Sequence, residues 1–244
     1  MRWFIGDIHG CAREFDQLLG AIDFQPGRDE LWCLGDLINR GPDSLTVLRR
    51  WCELDGRAVL GNHDIHGLLA HSGRKPKRLP TLEGLFAAED GAALLDRLRR
   101  QPLLVFLPSP GAGPDVWAVH AGVHPGWHDL HQAAARINGS PEAHDDDWLQ
   151  HPDTAFATQV RCCAADGERH KHFGPPEACP VGSGPWDSFY RGEATVIHGH
   201  WGTRGHYRTA KTIGLDSGCV YGGALTAWCQ DEDRIVQVPA DPGA

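Results

Sequence analysis

Five short segments carry side chains suited to metal-assisted hydrolysis: GDIHG (6–10), GDLINRG (35–41), GNHD (61–64), HAG (120–122) and HGHWG (198–202). A hard divalent cation at a hydrolytic site takes carboxylate oxygen, imidazole nitrogen and carbonyl oxygen, and keeps positions open for water. Asp7 and His9 lie two residues apart in one loop, so both can face one ion. Asp36 is best placed to bridge two ions, because a carboxylate offers two oxygens. Asn62 supplies an amide oxygen, and His120 and His200 supply imidazoles. A single Gly-Asp after a strand is usually a turn, and a lone buried histidine is more often a hydrogen-bonded core residue. Five such segments in one chain, each behind an apolar run, point instead to one shared site.

The elements that must position them repeat a single pattern. Residues 2–5, 30–34 and 57–60 are short apolar runs, each ending at a glycine followed by Asp7, Asp36 or Asn62. Each is followed by apolar residues at helical spacing: Phe15, Leu18, Leu19 and Ile22, then Leu45, Leu48 and Cys52, then Ile65, Leu68 and Leu69. This alternation predicts βαβ units and an α/β fold, with the ligand-bearing residues in loops at the carboxyl ends of strands. Further strands are predicted at 103–107, 116–119, 194–197, 224–228 and 234–238, the last of them in antiparallel pairs. The stretch 125–190 differs in composition, with many histidines, the run Asp145-Asp146-Asp147 and Gly174-Pro175-Pro176. It reads as an irregular insertion or cap over the site, within one domain spanning 1–244.

A chain of 244 residues is long enough to bury a sizeable core. Its formal net charge of −9 argues against a general DNA binder, yet not against a phosphate substrate, since bound divalent cations invert the charge of a local site. The opening MRWFIGDIHG reads as neither signal peptide nor membrane anchor, and no run approaches the roughly 20 apolar residues of a membrane span. The expectation is a cytoplasmic protein. None of the eight cysteines forms a C-x-x-C pair, so reduced, structural thiols are expected, with adjacent Cys162 and Cys163 the ones open to metal or redox chemistry.

The five segments resemble the motifs of the calcineurin-like metallophosphoesterases, specifically the branch that includes the Ser/Thr protein phosphatases. Within that branch the chain looks most like the symmetrical dinucleoside tetraphosphatases, through 35–49, 59–70, 74–79, 98–104, 120–127 and 214–228. The resemblance covers most of 1–127 and 194–228. It implies a four-layer α/β/β/α sandwich with two divalent ions at the edge of the paired sheets, manganese foremost, with iron, cobalt or zinc as alternatives. Asp7, His9 and Asp36 would hold the first ion, and Asp36, Asn62, His120 and His200 the second. Other branches carry a further ligand histidine where Gly202 stands here.

The implied mechanism is direct attack of metal-bound hydroxide on phosphorus, without a phosphoenzyme. His63 would protonate the leaving oxygen, with neighbouring Asp64 as a possible contributor, and Arg40 would fork onto the phosphate. Arg161 is the candidate for a second phosphate-binding arginine. Protein phosphatases of this group carry an Asp before that first arginine, where this chain has Asn39, which counts against protein phosphatase activity. The implied substrate is a dinucleoside polyphosphate such as diadenosine tetraphosphate, split into two ADP. A capped RNA 5′ end, a phosphoprotein acted on by a Ser/Thr or Tyr phosphatase, and an inactive binding protein of the same fold are the alternatives.

Several side features have plainer readings beside functional ones. Arg74, Lys75, Lys77 and Arg78 form either a solvated loop or a clamp for distal phosphates. Tyr221 and Trp201 could stack on a base but are read as core residues. Asp216 is read as a loop anchor, and His198 as a packed, unliganded residue.

Overall fold

A computed structural model describes residues 1–74, 79–140 and 144–241. Its first sheet contains β1 (Arg2–Ile5), β2 (Glu30–Cys33), β3 (Arg57–Ala58), β12 (Ala224–Cys229) and β13 (Arg234–Pro239), in the order β13-β12-β1-β2-β3. The neighbours β1, β2 and β3 run parallel, while β12 joins both β1 and β13 antiparallel. The second sheet contains β4 (Leu104–Leu107), β5 (Val116–Val119), β9 (Thr195–His198), β10 (Tyr207–Arg208) and β11 (Thr212–Gly214), in the order β10-β11-β9-β5-β4. Here β5, β9 and β11 are parallel neighbours, and the antiparallel strands lie at the edges.

Successive strand residues point to opposite faces, and that alternation builds the layers. Phe4, Trp32 and Trp228 of the first sheet meet Val116, Ala118, Ile197 and Ile213 of the second in one apolar cluster between the sheets. Their neighbours Trp3, Ile5, Leu31 and Cys33 turn the other way, toward α1 (Ala12–Ala21) and α2 (Ser44–Glu53), which contribute Phe15, Leu18, Val47, Leu48 and Trp51. On the far side, Trp117, Val119 and Val196 pack with Leu130, Ala133 and Ile137 of α6 (Leu130–Asn138). The fold is the expected α/β/β/α sandwich. Truncating one of its fully buried tryptophans, such as Trp3 or Trp228, costs about 3–5 kcal/mol in a typical core, so the sheets form a stiff frame for their rims.

The remaining helices fill the flanks: α3 (Asn62–His71), α4 (Glu83–Ala87), α5 (Gly91–Arg99), α7 (Asp146–Leu149) and α8 (Pro152–Gln159). The acidic run 145–147 has a local explanation. Asp145 caps α7 by accepting from the backbone N–H groups of Asp147 and Trp148, and Asp146 pairs with Arg99 at 2.9 Å. The stretch 125–190, expected to be irregular, holds α6, α7, α8 and a small sheet of β7 (Arg169–His170), β6 (Cys162–Cys163) and β8 (Gly184–Pro185). No helix among the described residues is long and apolar enough to cross a membrane.

The expectation of uniformly reduced thiols needs correction. Cys162 and Cys179 form a disulfide, because the chain turns back after β7 and brings their Cα atoms to 5.8 Å, within bonding range. The other six cysteines are free, and all but Cys52 are buried.

Candidate metal centre

The predicted ligands follow the carboxyl ends of parallel strands in both sheets: Asp7 and His9 after β1, Asp36 after β2, Asn62 after β3, His120 after β5 and His200 after β9. Because the two sheets stack, those ends form one rim. There His9 Nε2 lies 3.8 Å from Asp7 Oδ2 and 3.5 Å from Asp36 Oδ2. His120 Nε2 lies 3.4 Å from Asp36 Oδ2 and 3.2 Å from Asn62 Oδ1. Asp36, His120 and His200 offer donor atoms within 4.8 Å of one another, and so do His9, Asp36 and His63. Asp36 belongs to both groups, the position of a bridging carboxylate.

The loops reach this geometry through backbone conformations that side chains rarely adopt. His9, Asp36, Asn39, Arg40 and His200 all have positive φ, between 51° and 76°. Such strain concentrates at functional sites and persists only where surrounding contacts over-determine it. The contacts are visible here: Asp36 O accepts from the His9 N–H at 2.7 Å, and Asp36 Oδ1 accepts from the His63 N–H at 2.7 Å. Asp7 Oδ1 accepts from the His200 N–H at 2.9 Å. A side chain at Gly61 or Gly199 would collide with the Asp36 or Asp7 carboxylate, which explains the glycines ahead of Asn62 and His200.

Asp64, expected beside His63 in the chemistry, belongs to this scaffold instead. It is wholly buried, and its two oxygens accept from the backbone N–H groups of Asp36, Leu37, Ile38 and Gly61 at 2.8–3.3 Å. Sitting on the inner side of α3, it faces away from the cleft and fixes the loop that carries Asp36.

The electrostatics of the cluster call for cations. Burial, with Asp216 and Asp36 nearby, raises the Asp7 carboxyl well above the usual carboxylate range. Burial acts on Asp36 in the same direction, but His120, His63 and His9 around it hold its carboxyl well below that range. Burial alone would depress the His120 imidazolium, yet Asp36 and Asp7 push it up to about 10. His120 Nδ1 donates to Leu34 O at 2.7 Å, which turns Nε2 toward Asp36 and Asn62 as a second-sphere hydrogen bond does for a metal-bound histidine. His200 Nε2 is buried with no hydrogen-bond partner, a costly arrangement unless something binds there. The donor set and this orphaned nitrogen fit a pair of divalent ions.

Around the cluster, His63 Nδ1 lies 3.2 Å from Asn39 Nδ2. The amide is held in that orientation because Asn39 Oδ1 accepts from the Arg40 N–H at 2.8 Å and from Thr81 Oγ1 at 3.1 Å. Burial, partly offset by Asp36, lowers the His63 pKa to about 4. Arg40 is exposed at the cleft, and Arg161 reaches it from the residue ahead of β6, donating to the carbonyls of His200 at 2.9 Å and His172 at 3.2 Å.

Other residues fall where they were expected, or do not. His198 is buried, with Tyr207 Oη 2.7 Å from its Nε2, and Trp201 is a core residue donating to Gly174 O. Tyr221 is not in the core. It is 69% exposed, because a short turn over Cys219–Tyr221 ahead of Gly222 leaves its ring at the cleft. Arg74 faces Asp146 and Asp147 at 3.6 Å, while Lys75, Lys77 and Arg78 lie outside the described residues. Asp216 does anchor its loop, accepting from the Gly218 N–H at 2.9 Å, but it also lines the cavity beside Asp7 and His9. The cavity role was missed because the strand before it, β11, has only three residues and a single apolar side chain.

The cleft has two adjoining lobes that share Asn62, His63, Arg161, Phe173, His200 and Tyr221. One, of about 490 Å³, runs along Asp7, His9 and Asp216; the other, of about 610 Å³, runs along Arg40, Arg169 and Lys171.

A rim of this kind on this sandwich places the molecule among the calcineurin-like phosphoesterases, and residues 2–204 match that family, to which the chain belongs. It is a metal-dependent hydrolase of phosphoric esters or anhydrides. More particularly, it is 40% identical over 254 residues to the symmetrical bis(5'-nucleosyl)-tetraphosphatase of Paracidovorax citrulli, covering 91% of this chain and 90% of that one. The protein of the same name from Cellvibrio japonicus is 36% identical, with 96% of each chain covered. Among solved structures, a candidate diadenosine tetraphosphatase matches with a TM-score of 0.73 and 30% identity, over 99% of this chain and 94% of that one. A protein serine/threonine phosphatase of Saccharomyces cerevisiae shares the fold, with a TM-score of 0.54 at 13% identity over 98% of this chain and 79% of that one.

Proposed function

We propose that this chain hydrolyses dinucleoside tetraphosphates, with diadenosine tetraphosphate yielding two ADP, through a dinuclear divalent-metal centre. Asp7, His9 and Asp36 would hold one ion and Asp36, Asn62, His120 and His200 the other. A pair of divalent cations held by these residues would supply neutralisation of phosphoryl oxygens and a lowered pKa for an attacking water. Arg40 and Arg161 orient the scissile phosphate, each with a planar fork matched to its oxygens. Water attacks phosphorus in line and loses a proton to solvent, its oxygen stays on one nucleoside diphosphate, and the bridging P–O bond breaks to release the other.

The observation that carries this reading is the amide facing His63. An imidazole nitrogen that accepts from an N–H holds no proton there, so neutral His63 carries its proton on Nε2. That group can donate a hydrogen bond to a phosphate oxygen, but Nδ1 faces an amide and not a carboxylate that would support an imidazolium acid. A departing phosphate group has a final pKa of about 6 and leaves without being protonated. A serine alkoxide is far more basic and needs the acid. The site therefore suits anhydrides better than alkyl phosphomonoesters, which sets the protein phosphatase reading second.

A substrate panel with manganese tests the proposal, comparing kcat/KM for diadenosine tetraphosphate, ATP, a phosphoserine peptide and an aryl phosphate. The dinucleotide should lead, with ADP as its sole nucleotide product. A phosphopeptide favoured by orders of magnitude would replace this reading with the second one, and no turnover of any substrate would favour an inactive protein of the same fold.

A further inference from the structure

The second lobe of the cleft has an unusual charge pattern. Among the described residues, the arginines with no carboxylate within 4.0 Å are Arg40, Arg161, Arg169 and Arg191; the others pair with Asp or Glu. Three of those four line this lobe, and Lys171, likewise without a carboxylate among the described residues, lines it too. Where salt bridges are this common, four cations without an ion-pair partner lining one cavity mark a place for a multiply charged anion. Arg161 donates to the carbonyl of His200, a proposed metal ligand. Arg169 lies on β7, and Lys171 directly follows that strand.

A second observation joins the first. The large hydrophobic side chains exposed among the described residues are Phe173, Val181 and Tyr221, and both aromatic ones line the two lobes. Phe173, 66% exposed, has Lys171 Nζ 5.4 Å and Arg161 Cζ 5.7 Å from its ring centre, distances of a cation–π contact. The Cys162–Cys179 disulfide closes the base of the loop that presents it. Exposed aromatic faces beside a row of cations suit a nucleobase attached to a phosphate chain, since every base has a π-face to stack.

We propose that Arg169, Lys171 and Phe173, with Tyr221 across the cleft, form the subsite for the nucleoside-diphosphate half that departs. The cations hold its phosphates, and the aromatic rings hold its base. This rests on the function proposed above and assigns to 169–173 the phosphate clamp that the sequence suggested for 74–78.

Steady-state kinetics with manganese on two substrates test it, diadenosine tetraphosphate and inorganic tripolyphosphate, which has the charge but no base. Phe173→Ala should raise KM for the dinucleotide about tenfold, as loss of one stacked base does, and KM for tripolyphosphate less than twofold. Tyr221→Ala should show the same asymmetry. Lys171→Ala should raise both KM values at least threefold. Equal effects of Phe173→Ala on the two substrates, or none on either, would overturn the subsite while leaving the proposed function intact. A wild-type protein that does not turn over diadenosine tetraphosphate would remove both. All three side chains are exposed, and matching thermal melts would show that each variant is folded.

Discussion

Asn39 presents its amide N–H to His63 Nδ1 at 3.2 Å, where a carboxylate would make the histidine an acid. On the function proposed, this contact would favour phosphate anhydrides over alkyl esters as substrates. Asn39→Asp should therefore raise kcat/KM for a phosphoserine peptide by about tenfold or more, the lower part of the range for general-acid catalysis. Turnover of diadenosine tetraphosphate should change by less than threefold. Parallel assays on one preparation measure the ratio, and an unchanged ratio would remove His63 from the discrimination.

Asp64 is a positioning residue whose loss should register first in stability. Asp64→Ala strands four backbone N–H groups in a buried loop, at about 1–3 kcal/mol for each one left unsatisfied. Urea unfolding should show a loss of about 3 kcal/mol or more. A loss below 1 kcal/mol would mean that water reaches the loop.

Gly199→Ala drives a methyl group into the Asp7 carboxylate. Manganese affinity, followed by calorimetry, should fall at least tenfold with little change in secondary structure by circular dichroism. Wild-type affinity in this variant would show that Asp7 is not held against the backbone at Gly199.

Burial lowers the His198 pKa to about 4, against about 6.5 in an unfolded chain. The unfolded state therefore takes up this proton first as pH falls. Stability is intact above pH 6.5 and declines down to about pH 4, by roughly 3 kcal/mol for this group. His198→Gln, which takes up no proton, should lose less stability between pH 7 and 4.5 than wild type in denaturant titrations. Identical losses would place the acid sensitivity elsewhere.

The sheets were legible wherever a strand ran four residues or more. β1 and β5 fall on the predicted residues, and the apolar runs ahead of Asp7, Asp36, Asn62, His120 and His200 placed those side chains at strand ends. What could not be read is short or set by distant contacts. Two-residue strands such as β6, β7 and β10 are too brief for an alternation to show. The direction taken by Asp64 depends mostly on the backbone amides of Asp36, Leu37 and Ile38, at least 26 residues away, so its place in the scaffold could not be read from the residues around it. Tyr221 looked like core because aromatic residues usually are, and the turn that exposes it is specified by glycines rather than by apolar pattern. The Cys162–Cys179 bond joins residues 17 apart through a loop whose path only the fold determines.

The most direct test of the metal centre is the number of manganese ions bound per chain after chelator treatment, by equilibrium dialysis. Two ions are expected for wild type, and at most one for Asp36→Asn, which weakens the bridging position. A wild-type protein that binds no manganese, or an Asp36→Asn variant that still binds two with wild-type affinity, would contradict the assignment.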